Sequence, residues 1–371
     1  MAIKASGSSL KFSEIEYEFG QNNDRDLGEY RVSETHGQLS NMPLDTGIPQ
    51  SGQIKFSQFY GKKLNIVVDM YSGGTEYRKN ARSDKYNNGN LHVIGGFRNA
   101  PNDSGEAPIG GVRGKKVFIH VNKTFGSGKT NPMFCAVRTG SWQSDTELRI
   151  DVGTSGKIYG SGGDGGPGCN GVPDQNNSCS NDATKGKPGT SALGIEYAPA
   201  GNQTVVNNNG RIICGFGGGG GGGSARQEDG GKWTGRQDRS ASGGGGGGGA
   251  GLPFGTGGAG LASTWDQGDE LISGTAGEAG ATQNGGEQGG EGGEGGNNGA
   301  GEAVGGEGGN GGDETNLDAE AGAQAPAGKF RGSGGTAGAR GDAIRRAVNH
   351  TNVSITGSGT IVGATSGAGV A

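Results

Sequence analysis

Residues that build an ordinary protein core are scarce in this sequence of 371 residues. Hydrophobic residues make up 29% and aromatic residues 6% of the chain, and most of the aromatic residues precede residue 158. A conventional hydrophobic core therefore cannot extend along the whole length. The N-terminal part can form such a core, whereas the remainder needs another source of order or stays disordered.

Long apolar runs and clusters of basic residues are also missing. No stretch of about 18 apolar residues is present, so we predict no membrane insertion. The first seven residues lack the apolar run of a secretory signal, and we expect a protein that leaves the cytosol only by joining a larger assembly. The formal net charge of −5 and the lack of a basic stripe with interleaved aromatic residues give no electrostatic case for nucleic acid, so we predict no such partner.

Residue patterns for metal binding or catalysis are absent as well. The four cysteines form no C-x-x-C pair, and the four histidines are scattered without ligand spacing or a neighbouring nucleophile. Cys169 and Cys179 could close a short loop in an oxidising environment, but unpaired thiols are the favoured interpretation. Residues 126–130 resemble part of a phosphate-binding loop, yet Lys123 stands where that motif needs glycine. We predict no enzyme, no metal and no cofactor.

Glycine is what the sequence has in excess. It supplies 88 of 371 residues, against a usual share of roughly 7%. Residues 217–223 and 243–249 are uninterrupted glycine runs, and from 285 to 312 the spacing is close to Gly-Gly-X. A period of three residues matches the polyproline II helix, and glycine on two sides of such a helix lets its neighbours pack at backbone contact.

The alternative for this region is a disordered glycine-rich linker. We favour a packed polyproline II bundle because aromatic and charged inserts interrupt the glycine at regular intervals, which is unusual in linkers. The inserts contain Trp233, Trp265 and Phe330 and would form surface loops at the ends of the helices. Glutamates at the X positions would keep the bundle hydrated. These glutamates are Glu287, Glu291, Glu294, Glu302 and Glu307.

The first 65 residues are predicted to form a compact module, in which residues 6–15 are echoed by residues 51–59. Each copy places a Ser-Gly turn before an apolar residue and then a serine, Ser13 or Ser57, that can cap a helix. A short helix over 14–19 is predicted to end at Gly20.

Short runs of β-branched and aromatic residues follow, and they predict strands at 64–68, 116–121, 134–137 and 147–152. This spacing favours a small β-sandwich or a β-barrel-like domain. A further unit recurs at residues 152–160, 206–215 and 353–363. Each copy is typical of a β-hairpin-like turn that leads into an extended element, and such a unit can be stacked.

The predicted fold is therefore a mainly β N-terminal part followed by a glycine-rich polyproline II helix bundle, with little α-helix. We divide the chain into four parts: a docking module (1–65), a small β-rich domain (66–159), the glycine-rich bundle with surface loops (160–349) and a C-terminal β-hairpin-like end (350–371).

Two sequence motifs resemble proteins of tailed bacteriophages. IKFSQFYG at residues 54–61 resembles a short N-terminal module of many phage virion structural proteins. GARGDAIRR at 338–346, followed by residues 353–363, resembles the C-terminal ends of glycine-rich phage tail proteins. The alternation of glycine motifs and inserts is similar to the receptor-binding tip adhesins of T-even-like phages. Together these likenesses cover about two thirds of the chain, while residues 66–150 match no family by their motifs.

The resemblance implies a protein of the virion tail, assembled in the host cytoplasm, that acts as a tail-fibre or tail-tip adhesin on a host surface protein or glycan. The alternative is a purely structural baseplate or fibre-connector subunit. Aromatic and arginine side chains dominate binding energy at interfaces, which selects the receptor-binding candidates Trp233, Trp265, Phe330, Arg226, Arg236 and Arg239.

The N-terminal module carries more apolar surface than a module of its size and polarity needs, and this predicts docking to other phage tail or fibre proteins. The candidate docking residues are Phe12, Ile15, Phe19, Phe56, Phe59 and Tyr60.

Overall fold

The protein is described from a computed structural model. The described residues are 3–19, 27, 52–62, 65–70, 76–77, 79–80, 91–94, 116–128, 131, 133–140, 147–169, 185–196, 204–227, 239–260, 270–283, 286–297, 303–348, 350 and 352–370.

The two echoed stretches of the N-terminal module form two short helices with the same start. Helix α1 spans Phe12–Phe19, and a 3-10 helix spans Phe56–Phe59. The Glu14 carboxylate accepts a hydrogen bond from the backbone N–H of Lys11 at 2.7 Å, and the side chain of Gln58 accepts one from Lys55 at 2.6 Å. The helices thus begin one residue before the predicted serine caps, and a side chain three residues on satisfies the first free N–H.

Strands account for most of the remaining regular structure, as the sequence predicted. Their bounds are β1 Asn65–Met70, β2 Glu76–Tyr77, β3 Lys79–Asn80, β4 Leu91–Ile94, β5 Lys116–Val121, β6 Thr124–Gly126, β7 Cys135–Arg138, β8 Glu147–Val152, β9 Lys157–Tyr159, β10 Ser191–Ile195, β11 Thr204–Asn208, β12 Arg211–Ile213, β13 Ala225–Gln227, β14 Arg239–Ala241, β15 Glu270–Ile272, β16 Ala281–Gln283, β17 Gly286–Gln288, β18 Phe330–Arg331, β19 Ile344–Arg346, β20 Val353–Thr356, β21 Thr360–Val362 and β22 Gly367–Ala368. The fold is mainly β with very little helix, and this prediction is confirmed.

Three sheets are built by a chain that coils through them in turn. Their strand orders are β20-β11-β8-β5-β1-β4, β2-β6-β9-β12-β21 and β22-β19-β10-β7-β3. All neighbours are parallel except β1 and β4, which pair antiparallel. Successive strands such as β5, β6 and β7 therefore enter different sheets, and each strand pairs with its equivalent one coil away. We call these three sheets the β part.

The β part differs from the β-sandwich or β-barrel that the strand spacing suggested. The reason lies in the three repeated units, which stack as predicted but form corners instead of hairpins. Lys157, Arg211 and Thr360 lie side by side at the start of β9, β12 and β21. Glycine is needed at these corners because neighbouring coils touch: a Cβ atom on Gly210 would lie 2.1 Å from the carbonyl oxygen of Gly156.

Alternating apolar residues of the parallel strands fill the interior of the β part. In β5, for example, Val117, Ile119 and Val121 are fully buried, and they belong to one cluster with residues from β8, β10, β11, β12 and β19. Strands from both sides of the predicted limits at residues 159 and 349 thus share the same sheets and the same core. Ile3, Ile15 and Phe59 of the N-terminal module belong to this cluster too.

In the described parts of the glycine region the chain forms ten extended segments, which we label g1 to g10. They span residues 160–169, 185–190, 214–224, 242–250, 253–260, 273–280, 289–297, 304–312, 319–325 and 332–341, in that order. Hydrogen bonds between segments recur at every third residue. The N–H groups of Gly163, Gly166 and Cys169 in g1, for example, donate to the carbonyls of Phe216, Gly219 and Gly222 in g3.

These hydrogen bonds arrange the segments in three layers. The order is g2-g1-g5 in one outer layer, g10-g3-g4-g6 in the middle and g9-g8-g7 in the other outer layer. The segments g3 and g4, which contain the two uninterrupted glycine runs, have neighbours on every side. Contact is at the backbone: a Cβ atom on Gly247 would lie 1.8 Å from the carbonyl oxygen of Gly290. Any side chain larger than hydrogen is excluded there.

Among the described residues, no helix is long and apolar enough to cross a membrane.

Candidate functional site

The three longest connections that pass between glycine segments without entering the β part leave the glycine region at one end. Hydrogen bonds join the segment ends there. The Cys169 carbonyl accepts a hydrogen bond from the Gly243 N–H, and the Ser242 carbonyl accepts one from the Gly296 N–H. The Ser224 carbonyl accepts one from the Gly332 N–H. The connections at this end span residues 170–184, 225–241, 261–272, 298–303 and 326–331. We call this the loop end. The β part lies at the opposite end, where β9, β10, β12 and β19 join the segments.

A small sheet at the loop end brings together three of the six receptor-binding candidates. Its strand order is β15-β14-β13-β18. Arg226 of β13 lies opposite Phe330 of β18, and Arg239 of β14 lies opposite Gln227 of β13 and Glu270 of β15. Sequence positions more than a hundred residues apart thus meet on one short sheet, because the glycine segments return the chain repeatedly to this end.

The two faces of this sheet differ in character. Ala225 and Ala241 point to one face, where they form a buried cluster with Ala303 and Ala325. Arg226 and Ser240 alternate with them and so lie on the other face, yet Arg226 is only 9% exposed and Ser240 only 3%. Arg226 is therefore far less accessible than its role as a receptor-binding candidate implied.

Phe330 is half-buried, and the ammonium group of Lys329 lies 5.3 Å from its ring centroid. This distance is within the range of a cation–π interaction. Sequence reasoning missed Lys329, whose only signal is its position beside an aromatic residue in an insert. Trp233, Trp265 and Arg236 lie outside the described residues, although the connections that carry Trp233 and Trp265 end at β14 and β15.

The exposed X positions of the glycine region make specific contacts. The Asp164 carboxylate accepts a hydrogen bond from the backbone N–H of Thr256 at 2.9 Å, and the Asn310 side chain accepts one from Gly292 at 2.9 Å. Glu291, Glu294 and Glu307 are exposed, as expected of residues that keep the surface hydrated. The X residues therefore also satisfy outward-facing N–H groups of neighbouring segments, which the sequence did not indicate.

The cysteines divide into two kinds. Cys169, at the loop end of g1, is disulfide-bonded, and this departs from the expected unpaired thiols. Cys179 lies outside the described residues. Cys135 and Cys214 are buried thiols. Burial raises the pKa of Cys135 to about 12, so this thiol stays protonated and unreactive at neutral pH.

No group of histidine, cysteine, aspartate or glutamate side chains with the arrangement of a metal site occurs in the parts of the chain that the structure describes.

Comparison with known proteins decides the family. The family model described as phage tail fibre adhesin Gp38 matches residues 85–366, which is most of the chain. The protein belongs to the phage tail fibre adhesin Gp38 family. It is therefore a component of the virion tail that recognises the host cell, and the family assigns it a binding role. Of the two functions left open by the sequence, the adhesin is confirmed over the purely structural connector.

One solved structure is also similar to this Gp38-family chain. It is the crystal structure of the gp37-gp38 adhesin tip complex of the bacteriophage S16 long tail fiber, with 21% sequence identity and a TM-score of 0.35. The match covers 85% of this chain and 87% of that chain. No curated protein sequence matches the chain.

The docking candidates of this Gp38-family adhesin differ widely in accessibility. Ile15 and Phe59 are fully buried in the core of the β part and cannot contact a partner while the module is folded. Phe56 is 40% exposed and packs edge-on against the half-buried Phe12, with ring centroids 6.1 Å apart. Tyr60 is half-buried, and its hydroxyl donates a hydrogen bond to the Ser8 carbonyl at 2.5 Å. The side chain of Phe19 lies outside the described residues.

Proposed function

We propose that this Gp38-family adhesin contacts the host surface with its loop end. The observation that carries this proposal is the convergence of the insert connections on one end, opposite the β part. Loops on a rigid scaffold are the usual place for binding residues. The contacts would come from Trp233, Trp265, Phe330, Arg236 and Arg239 and would reach a host surface protein or glycan.

Arg226 has a different part in this proposal. Its low exposure and its position opposite Phe330 favour a supporting role beneath the contact surface over direct contact with the host.

The glycine segments are proposed to be polyproline II helices that hold the loop end away from the β part. Two observations support this: the hydrogen bonds between segments recur every third residue, and the surface residues of g7 and g8 follow the Gly-Gly-X spacing. A polyproline II helix repeats every three residues and rises about 3.1 Å per residue. The ten residues of g1 would then span roughly 30 Å.

The N-terminal module is proposed to attach the adhesin to other phage tail or fibre proteins. Exposed apolar surface on a small module often marks an interface, and Phe56 with Phe12 provides such a surface. The protein would assemble in the host cytoplasm and would need no cofactor and catalyse no reaction. The division of the chain at residues 65, 159 and 349 is also proposed, as a division of roles along the chain, since strands on both sides of residues 159 and 349 share one core.

The loop-end proposal is tested by replacing Trp233 and Trp265 together with alanine and measuring adsorption of particles to host cells. Adsorption should fall, while the free energy of unfolding stays within about 1 kcal/mol of wild type, as for surface substitutions. Phe254→Ala is the matched control, because this aromatic residue is 41% exposed but lies at the end of g5 nearest the β part. Unchanged adsorption of the double variant would reject the proposal. A large loss of stability would instead assign the tryptophans to capping the glycine region.

The docking proposal is tested with Phe56→Ser. This substitution tests the exposed surface alone, whereas removal of residues 1–62 would also take Ile15 and Phe59 from the core. The variant protein should fold and bind cells when isolated, but it should be missing from assembled particles. Normal incorporation of the variant would reject docking through this surface.

A further inference from the structure

The β part and the glycine region are joined without a linker. The chain passes directly from β9 into g1, from g2 into β10, from β12 into g3 and, after g10, into β19. An apolar cluster covers the joint, and it consists of Tyr159, Ile213, Cys214, Phe216 and Ala250. Four of the ten segments are thus tied to strands by the backbone itself.

The other six segments, g4 to g9, have no strand of the β part next to them in the chain. On the side of the outer layer g9-g8-g7, the turn between g8 and g9 reaches back to the β part. Its shape is set by Asp313, whose carboxylate accepts hydrogen bonds from the N–H groups of Thr315 and Asn316 at 2.7 and 2.6 Å. The next residue along the turn, Glu314, is thereby held towards β12.

Glu314 forms an ion pair with Arg211, the first residue of β12, in which one guanidinium nitrogen contacts both carboxylate oxygens. The distances from Arg211 Nη2 to Glu314 Oε1 and Oε2 are 2.5 and 2.7 Å. The Arg211 guanidinium also lies 6.0 Å from the ring centroid of Tyr159 in the apolar cluster. The exposed fractions of the two charged side chains are only 24% and 18%, so solvent screens this pair less than a surface pair.

We propose that Arg211 and Glu314 are positioning residues that fix the direction of the loop end relative to the β part. The ion pair links the outer layer g9-g8-g7 to strand β12, on the side where the chain does not pass directly from a glycine segment into the β part. This role rests on the proposed function of the loop end, because direction matters only if that end must meet the host while the β part stays with the virion.

The experiment uses Glu314→Arg, which places two cations face to face, and the exchanged pair Arg211→Glu with Glu314→Arg, which restores attraction. Glu307→Arg is the matched control, since Glu307 is an exposed residue of the adjoining segment g8. Two readouts are compared for the full-length chain: binding of the isolated protein to host cells and adsorption of particles that carry it.

We expect Glu314→Arg to lower particle adsorption several-fold while isolated protein still binds cells like wild type, because a tumbling molecule does not need a fixed direction. The exchanged pair should recover part of the adsorption, and Glu307→Arg should change neither readout. Spin labels on Asn297→Cys and Ser358→Cys should report a broader distance distribution in Glu314→Arg than in wild type.

An equal loss in both readouts, or a loss that the exchanged pair does not repair, would show a merely structural pair and overturn the proposal. No loss in particle adsorption would overturn it as well. Failure of the proposed function is a separate result: isolated wild-type protein would then bind cells no better than the Trp233 and Trp265 double variant.

Discussion

The β part and the glycine region reach order by opposite means. The β part pairs its strands within sheets and fills the space between the sheets with side chains such as Ile119, Ile150 and Leu193. The glycine region surrounds g3 and g4 with other backbones on every side, so hydrogen bonds run in several directions and no space is left for a side chain. Backbone contact can therefore replace an apolar core, although ordering glycine costs more conformational entropy than ordering any other residue.

This contrast predicts that added atoms harm the glycine region most. A Cβ atom on Gly292 would lie 2.0 Å from the Gly308 carbonyl oxygen, so Gly292→Val should cost about 4–5 kcal/mol or more, as severe overpacking with loss of buried hydrogen bonds does. Limited proteolysis should then cleave the glycine region. Glu291→Val introduces the same side chain one residue away, at an exposed X position, and should stay resistant. Equal resistance of both variants would contradict backbone contact at Gly292.

Removed atoms should harm the β part instead. Ile150 is fully buried between the sheets, and Ile150→Ala should lower the free energy of unfolding by about 2–5 kcal/mol through lost burial and a residual cavity. Chemical denaturation followed by circular dichroism measures this change. Ile355→Ala, at a half-buried position of β20, should cost clearly less. A similar cost at both positions would mean that the interior of the β part is not closely packed.

A smaller effect is expected from the surface of the glycine region. Asn310→Ala removes the acceptor of the 2.9 Å hydrogen bond from the Gly292 N–H and should cost about 1 kcal/mol. Glu307→Ala, at the preceding X position of the same segment, should be nearly neutral. The melting temperatures of the two variants measure this difference in stability. Identical values would leave the X residues with hydration as their only role.

The smallest effect concerns pH in the β part. Burial, followed by the positive charge of Arg346, lowers the pKa of His350, whose ring lies 3.3 Å from the Thr204 hydroxyl. The unfolded chain therefore binds a proton more readily than the folded chain, and stability falls as the pH drops through and below the ordinary histidine pKa of about 6.5. His350→Gln should melt with a weaker pH dependence than wild type between neutral pH and pH 5. Parallel pH profiles would refute this linkage.

Local patterns predicted much of the fold. The alternation in 116–121 and 147–152 located β5 and β8, and the three repeated units located corners that do stack. The sheet assignment was not predictable in the same way. Hairpins and corners use the same turn residues, and the choice between them depends on neighbours one coil away, such as β19 beside β10 with most of the glycine region between them in the chain.

The candidate site was predictable in part for a similar reason. Interface chemistry selected residues from three inserts, and the described ones, Arg226, Arg239 and Phe330, meet on one sheet. Their accessibility did not follow from residue type, since Arg226 is nearly buried there. The same holds in the N-terminal module. Phe59 is buried and Phe56 is exposed, and the residue type, which is the same at both positions, could not predict this difference in accessibility.

The position of the three longest connections that stay outside the β part, at one end of the layered segments, has a consequence for how the adhesin can change. Lengthening a connection there shifts no glycine out of register, because each segment is aligned by bonds along its own length. The entropy of closing a longer loop rises only with the logarithm of its length, by about 0.6 kcal/mol per doubling. On the proposed function, selection for new hosts could therefore change the loop end, while the buried glycines of the segments behind it tolerate almost no substitution.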